Sequence, residues 1–553
     1  MPKLISGGKR FMPIFALALS ALFSTIPLLF YQDFTFGQDI AYHINWSSQV
    51  STAIKEGVLY PRWMALSNEG YGSPTMIFYA PLFYWITGIV NLFVSSLILS
   101  MKLTTLAGFF LSGLTMYVFL KNFCNHAGSV TGGIAYQLLP YHIFDLYVQG
   151  TMAELFAFVW LPLIFHFAYK GFTEDALRDW IALAFSYAGL ILTHIVSSYI
   201  FTFVLAGFGL FLSVKMRSLR VLGRFTAAGL FGFCLSAVYF MPMFFERSFV
   251  HIEWLTEAPF ADYRHNFLFS AENVGKLFYK HLNLVAVLQL ILLIISLMVV
   301  YKKKKGDNQT NLPFFLWLSA ASLFISSPFS MPVWNLMPGL KTIQFPWRWL
   351  MVSTFATSIM IGLTADIFSF FDIKKDRFLR FSAVLFCGFV FYNLYLVSFY
   401  LLKAEPVPKK DTEWILHGGG DVIEYLPVWL IDKKNNFPKG KEGPVTFKEG
   451  VGMLDIVHWR SHSRLFRVSA ELPATVRVST FYYPGWTALI DGREIPVGIE
   501  KDSGAMLINV PPGKNEVLLE FRDTPLRRVA KWISIISLLA ALFGLAMAKR
   551  KSY

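Results

Sequence analysis

Cysteine is scarce: the 553-residue chain has three, Cys124, Cys234 and Cys387, each within or at the end of an apolar run. They have no paired spacing, so zinc, a redox motif and a disulfide framework are not indicated, and each reads as a small apolar packing residue. Charge is scarce too, at 15% of residues. No Gly-rich nucleotide loop, Walker motif, nucleophile elbow or HExxH occurs, which disfavours a nucleotide as direct energy source. Heptads, long low-complexity tracts and a clear internal repeat are also missing. What abounds is apolar: 55% of the chain is hydrophobic, with 56 Phe and 15 Trp. That is the composition of a polytopic membrane protein. The net charge of +14 sits largely in short Lys/Arg clusters between apolar runs. Positive-inside topology produces this pattern without a nucleic-acid partner.

A span needs about 20 apolar residues. Lys3, Lys9 and Arg10 precede the run Phe11 to Phe30 with no small-residue cleavage site after it, so this is an uncleaved first span. The run Thr75 to Leu97 begins after Pro74 and is interrupted by Pro81 and Gly88. Counting it as a span would keep Lys215 to Arg224, Lys302 to Lys305, Lys374 to Arg380 and Lys549 to Lys551 from all sharing the cytoplasmic side with the N-terminus. The stretch 31–97 is therefore one external loop whose second half lies in the interface as amphipathic helix. Further spans are expected at Ile98–Leu120, Ser129–Phe144, Glu154–Tyr169, Trp180–Tyr199, Ile200–Val214, Phe225–Phe244, Leu282–Tyr301, Pro313–Ser326, Trp349–Phe370, Leu379–Leu401 and Val529–Ala548. That makes about twelve spans with both termini inside.

The expected organisation is a membrane unit over 1–402, an external unit over 403–528, and a last span with its tail over 529–553. In the external unit, apolar residues alternate in Leu465–Ser469, Val476–Thr480, Met506–Val510 and Glu516–Phe521. Period-two alternation predicts half-buried strands, and Asp491-Gly492 and Pro511-Pro-Gly513 predict turns, together a β-sandwich. Gly418-Gly-Gly420 reads as a loop turn.

The unusual polar residues collect outside. Asp39 and His43 stand four apart, one above the other if helical, so they can face a common target; Asp39 can equally be a helix cap. Glu154 opens an apolar run, where the helix dipole also favours it. His194 lies in an apolar stretch, open to a satisfied contact or to catalysis. Arg348, between Trp347 and Trp349, is a phosphate clamp or an aromatic-belt anchor, and Arg62, between Pro61 and Trp63, poses the same choice. Lys341 is a third cation. Asp145 is a second external acid.

Gly37-Gln-Asp-Ile-Ala-Tyr-His43, Tyr60-Pro-Arg-Trp63, Gly70-Tyr-Gly-Ser-Pro74 and Phe78-Tyr-Ala-Pro81 resemble the pyruvoyl-tetrahydropterin-synthase-related membrane domain. The first span, early external Asp and C-terminal external β unit are similar to the GT-C superfamily of membrane glycosyltransferases. The tail Tyr482-Tyr-Pro-Gly-Trp486 is similar to YfhO-like proteins. The resemblance implies an inverting transfer from a polyprenyl-phosphate sugar to a glycan, lipid or protein acceptor outside the cytoplasmic membrane of a prokaryote. It implies Asp39 as base, a second acid at Asp145 or, by preference, Glu154, and a divalent cation, Mg or Mn, with Asp39, His43 and Glu154 as its candidate ligands. His43, Glu154, His194, Arg62, Lys341 and Arg348 are the candidate substrate contacts. The paired acidic motif of the superfamily's first loop is missing: Gln38 precedes Asp39 and His43 follows four later. A transporter or flippase of lipid-linked sugars, which inverted repeats would mark, and a non-catalytic scaffold of an envelope-assembly complex are the rival classes.

Overall fold

The structure is a computed structural model and describes residues 2–257, 259–273, 275–302, 312–370, 377–416, 421–431 and 443–550. The predicted turn at Gly418–Gly420 and the cationic residues Lys303–Lys305, Lys374, Lys375 and Lys551 lie outside them.

Each of the twelve expected segments falls on helix. Among the described residues, eight helices are long and apolar enough to cross a bilayer, or ten if two bent pairs each count once. The bent pairs are Leu219–Leu235 with Ala237–Phe245, at 82°, and Pro313–Ile325 with Pro328–Leu336, at 90°. The other two segments are shorter: His126–Leu138 has 13 residues and Leu177–Thr193 has 17. The first ends early because Pro140 follows, and its glycines let it sit tightly. A Cβ on Gly128 would come within 2.7 Å of the Gly362 carbonyl, and one on Gly133 within 2.8 Å of the Gly113 carbonyl. Close backbone approach of this kind is how helices gain contact where lipid supplies no hydrophobic drive.

A further boundary differs from expectation. The segment expected to end at Tyr199 stops at Thr193, because His194 is extended and caps the helix Ile195–Met216, its ring accepting from the Ser197 N–H. The run Thr75 to Leu97 holds a short helix, Thr75–Phe78, and a 12-residue one, Leu82–Phe93. At 1.5 Å per residue the longer rises about 18 Å, too little for a ~30 Å hydrocarbon core.

The C-terminal strands form two facing antiparallel sheets. They are β1 Val445–Glu449, β2 Gly452–Trp459, β3 Ser463–Ala470, β4 Ala474–Phe481, β5 Trp486–Ile490, β6 Arg493–Ile495, β7 Gly498–Ile499, β8 Ala505–Val510 and β9 Gly513–Phe521. One sheet has the order β1-β4-β8-β7 and the other β2-β3-β9-β5-β6. Asp491 and Gly492, at φ 47° and 80°, make the two-residue β5–β6 turn, as left-handed residues in a primed hairpin must. Inward Phe466, Val468, Val476, Val478, Ile508 and Val517 fill the sandwich, and the same core takes in Trp63, Tyr71 and Phe78 of the first loop. Loop and sandwich are therefore one packed body.

Candidate active site

The segment before the helix Ile40–Lys55 is pinned by its backbone. Gln38 N–H donates to the Val148 carbonyl at 3.1 Å and Asp39 N–H to the Gln149 carbonyl at 2.8 Å. Two glycines permit this. A Cβ on Gly37 would lie 2.7 Å from Gly150 Cα, and Gly150 is left-handed at φ 72°, a conformation costly for other residues. Gly150 ends a π-helical turn, Asp145–Gln149, a geometry that recurs at functional sites. The loop after the first span is thus fastened to the turn that carries Asp145 and leads into Glu154.

Asp39 occupies the cap position of its helix, yet its side chain makes no cap hydrogen bond. Its carboxyl is half-buried. Burial raises its pKa, and the Arg348 charge pulls it part of the way back. Asp145 is fully buried, with one oxygen held by the Thr151 hydroxyl and the other without a partner. Burial first, then the like charge of Glu154, pushes its pKa well up.

Glu154 sits in the first turn of the next helical segment, Met152–Ala157, buried. Its Oε1 accepts from the Tyr141 hydroxyl at 3.0 Å, and its Oε2 lies 3.6 Å from Arg348 Nε. Neither Oε2 nor Nε has a hydrogen-bond partner. Arg348 enters from the turn Pro346–Trp349, where Nη1 donates to the Ile343 carbonyl at 3.0 Å and the guanidinium lies 5.0 Å over the Phe345 ring. The field of this one cation reaches Asp39, Asp145, Glu154 and His194.

The other expected site residues divide. His194 lies in the reach of Arg348, its Nδ1 2.7 Å from the Ser197 hydroxyl. His43 is buried among Trp46, Tyr79 and Tyr84, with Nδ1 2.6 Å from the Tyr84 hydroxyl. Burial alone lowers its pKa to about 3, so it is neutral. Its ring is part of an aromatic wall with Trp46, Tyr79 and Tyr84. Arg62 belongs elsewhere: it bonds Asp523 of the C-terminal region at 2.7 Å and lies 4.4 Å over Tyr60. Lys341 is exposed in the turn Pro338–Ile343.

Asp39, His43 and Glu154 are not gathered as a metal-ligand cluster. Tyr84 engages the Nδ1 of His43, Tyr141 engages one oxygen of Glu154, and the Arg348 guanidinium already lies 3.6 Å from the other. Among the described residues no three His, Cys, Asp or Glu side chains are gathered to hold a metal ion. Sequence reasoning placed Asp145 outside but ranked it below Glu154. The Gly150-Thr151 that follow its turn were the available signal.

Residues 76–392 match the model of the 6-pyruvoyl-tetrahydropterin synthase related domain, a membrane protein. The chain belongs to this family. The matched region holds Asp145, Glu154, His194 and Arg348 but neither Asp39 nor the sandwich. An uncharacterized protein of Lactococcus lactis subsp. cremoris (strain MG1363) is 27% identical over 208 residues, 36% of this chain and 33% of that protein. The apo crystal structure of the Archaeoglobus fulgidus oligosaccharyltransferase aligns with TM-score 0.44 and 12% identity, over 73% of this chain and 57% of that one. The archaeal oligosaccharyltransferase AglB from Archaeoglobus fulgidus, in complex with an inhibitory peptide and a dolichol-phosphate, aligns with TM-score 0.43 and 14% identity, over 72% and 57%. The chain thus spans a third of the first relative's length and just over half of each solved structure.

Proposed function

We propose that this membrane protein transfers a sugar from a polyprenyl-phosphate donor to an acceptor on the outer face of the cytoplasmic membrane, with inversion at the anomeric carbon. In this reading both termini are cytoplasmic, and the unit over 403–528 is external and helps present the acceptor. The acceptor oxygen attacks the anomeric carbon, the bond from that carbon to the phosphate oxygen breaks, and Asp39 takes the acceptor's proton. The lipid phosphate leaves as an anion beside Arg348. A single displacement with one base accounts for the inversion. No step runs through a metal ion.

The observation that carries the reading is the Arg348–Glu154 pair. At 3.6 Å, with Nε and Oε2 both buried and unsatisfied, it presents a largely buried cation held in place but not saturated. Such a group can meet charge that develops during reaction at little cost of reorganisation. Asp39 lies in the same field with a carboxylate free of the cap bond its position invites. Its raised pKa makes it a stronger base than an ordinary Asp.

The test is radiolabelled sugar transfer from a polyprenyl-phosphate donor by the purified full chain, wild type against Asp39→Asn. The expected loss is about 10² to 10⁴ in rate. Unchanged transfer by the variant rejects the base assignment. No transfer by wild type with any donor rejects the enzyme reading.

A further inference from the structure

Alternation along β3 turns Phe466, Val468 and Ala470 inward, and the same parity turns Arg464 inward with them. The side chain is completely buried. Trp459, its cross-strand partner on β2, and Trp486 at the start of β5 clamp the guanidinium, with ring centroids 4.5 and 4.8 Å from its central carbon. Stacking occupies the faces of the guanidinium and leaves its N–H groups at the rim. There Nε, Nη1 and Nη2 all lack an acceptor.

Among the described residues the surroundings add mostly donors, with the unpaired Tyr60 hydroxyl, able to donate or accept, on the Arg62 side. Trp63 packs edge-on against Trp486 at 5.5 Å, and the indole N–H groups of both are buried and unpaired. Arg62, next to Trp63, has an unpaired buried Nη2. His462 spends its Nε2 on the backbone N–H groups of Arg62 and Trp63, at 3.3 and 3.4 Å. The nearby carboxylates are committed: Asp523 to Arg62 at 2.7 Å, and Glu246 to Arg527 at 2.9 and 2.7 Å. Burial and the charges of Arg62, Arg464 and Arg527 lower His462 to about 3 and hold it neutral, while Arg464, lowered to about 9, stays charged at neutral pH.

An unpaired ion in a protein interior is among the most expensive arrangements available to a fold. The partner that fits a guanidinium rim is a planar or tetrahedral oxyanion taken in a bidentate manner. We propose that Arg464, with the donors of Trp63, Trp486 and Arg62, forms a buried oxyanion site that fastens the first loop to the β-sandwich. The oxyanion is a phosphate or carboxylate, either free or carried on a glycan or lipid. The proposal does not rest on the transferase reading.

The test uses the full chain purified without phosphate or sulfate and unfolded thermally at constant ionic strength with added inorganic phosphate. The midpoint is expected to rise with phosphate; at a hundredfold excess over Kd the unfolding equilibrium shifts about a hundredfold. Arg464→Met should lose this response, and Arg467→Met, at an exposed neighbour on β3, should keep it. Because Arg464→Met alters a core position, wild-type crystals soaked in selenate give a second readout: an anomalous peak at the guanidinium rim is expected. Native mass spectrometry separates the sources, since a glycan- or lipid-borne oxyanion copurifies as added mass whereas a free one does not. A wild type with no phosphate response, no selenate peak and no copurified mass overturns the proposal, as does a full response retained in Arg464→Met.

Discussion

Two arginine–glutamate pairs, one buried and one largely so, differ in how completely they are satisfied. Arg527 meets Glu246 through two bonds of 2.9 and 2.7 Å and also donates to the Pro484 carbonyl at 2.8 Å, while Tyr483 donates to the same glutamate at 3.1 Å. Arg348 and Glu154 stand 3.6 Å apart with an unsatisfied atom on each side. The first pair joins the start of the last helix, Pro525–Arg550, to Glu246 at the end of Ala237–Phe245, under the sandwich. Every strong donor it has is spent on structure. The second keeps capacity in reserve, next to a carboxylate with no cap bond. Saturation marks a clamp, and reserve marks a place where chemistry can be done.

The largest effect on folding should come from breaking the saturated pair. Arg527→Met leaves Glu246 buried and alone, and removing one partner of such a pair costs about 3–5 kcal/mol; denaturant unfolding of the full chain measures it. Gly37→Ala should cost less, about 1–3 kcal/mol, because the new Cβ meets the Gly150 backbone at 2.7 Å and can only push the Asp39 segment away. The same variant should lose transfer out of proportion to its stability, which a rate measured well below its melting range will show. The smallest effect is on pH dependence. Asp39 must be ionised to act as a base, and burial outweighs Arg348 in raising its pKa. Activity should therefore fall, as pH drops, through a limb above the ordinary Asp value of about 3.9. A kcat/KM profile with its limb at or below that value contradicts the assignment.

Helices and strands were readable because their signals are local. Apolar runs marked the long membrane helices but not the polar helix Ile40–Lys55, period-two alternation marked β3, β4, β8 and β9, and Asp491-Gly492 marked a hairpin. The break at His194 was missed because a histidine can cap a helix as well as ride in one, and only the Ser197 contact decides. The candidate site's residues stand out along the chain, but their grouping does not. Asp39, Glu154 and Arg348 stood out as polar groups at helix ends. That Arg348 joins them while Arg62 pairs with Asp523 depends on contacts hundreds of residues apart. The Gly37–Gly150 approach and the inward Arg464 are likewise products of packing, invisible to periodicity.

Transfer rate and melting temperature measured together for Arg348→Gln and Arg527→Met separate a pair that serves the reaction from one that holds the fold. Arg348→Gln should lose about 10²- to 10³-fold in rate with a smaller fall in melting temperature than Arg527→Met. A wild-type rate in Arg348→Gln, or a melting loss equal to that of Arg527→Met, would contradict this.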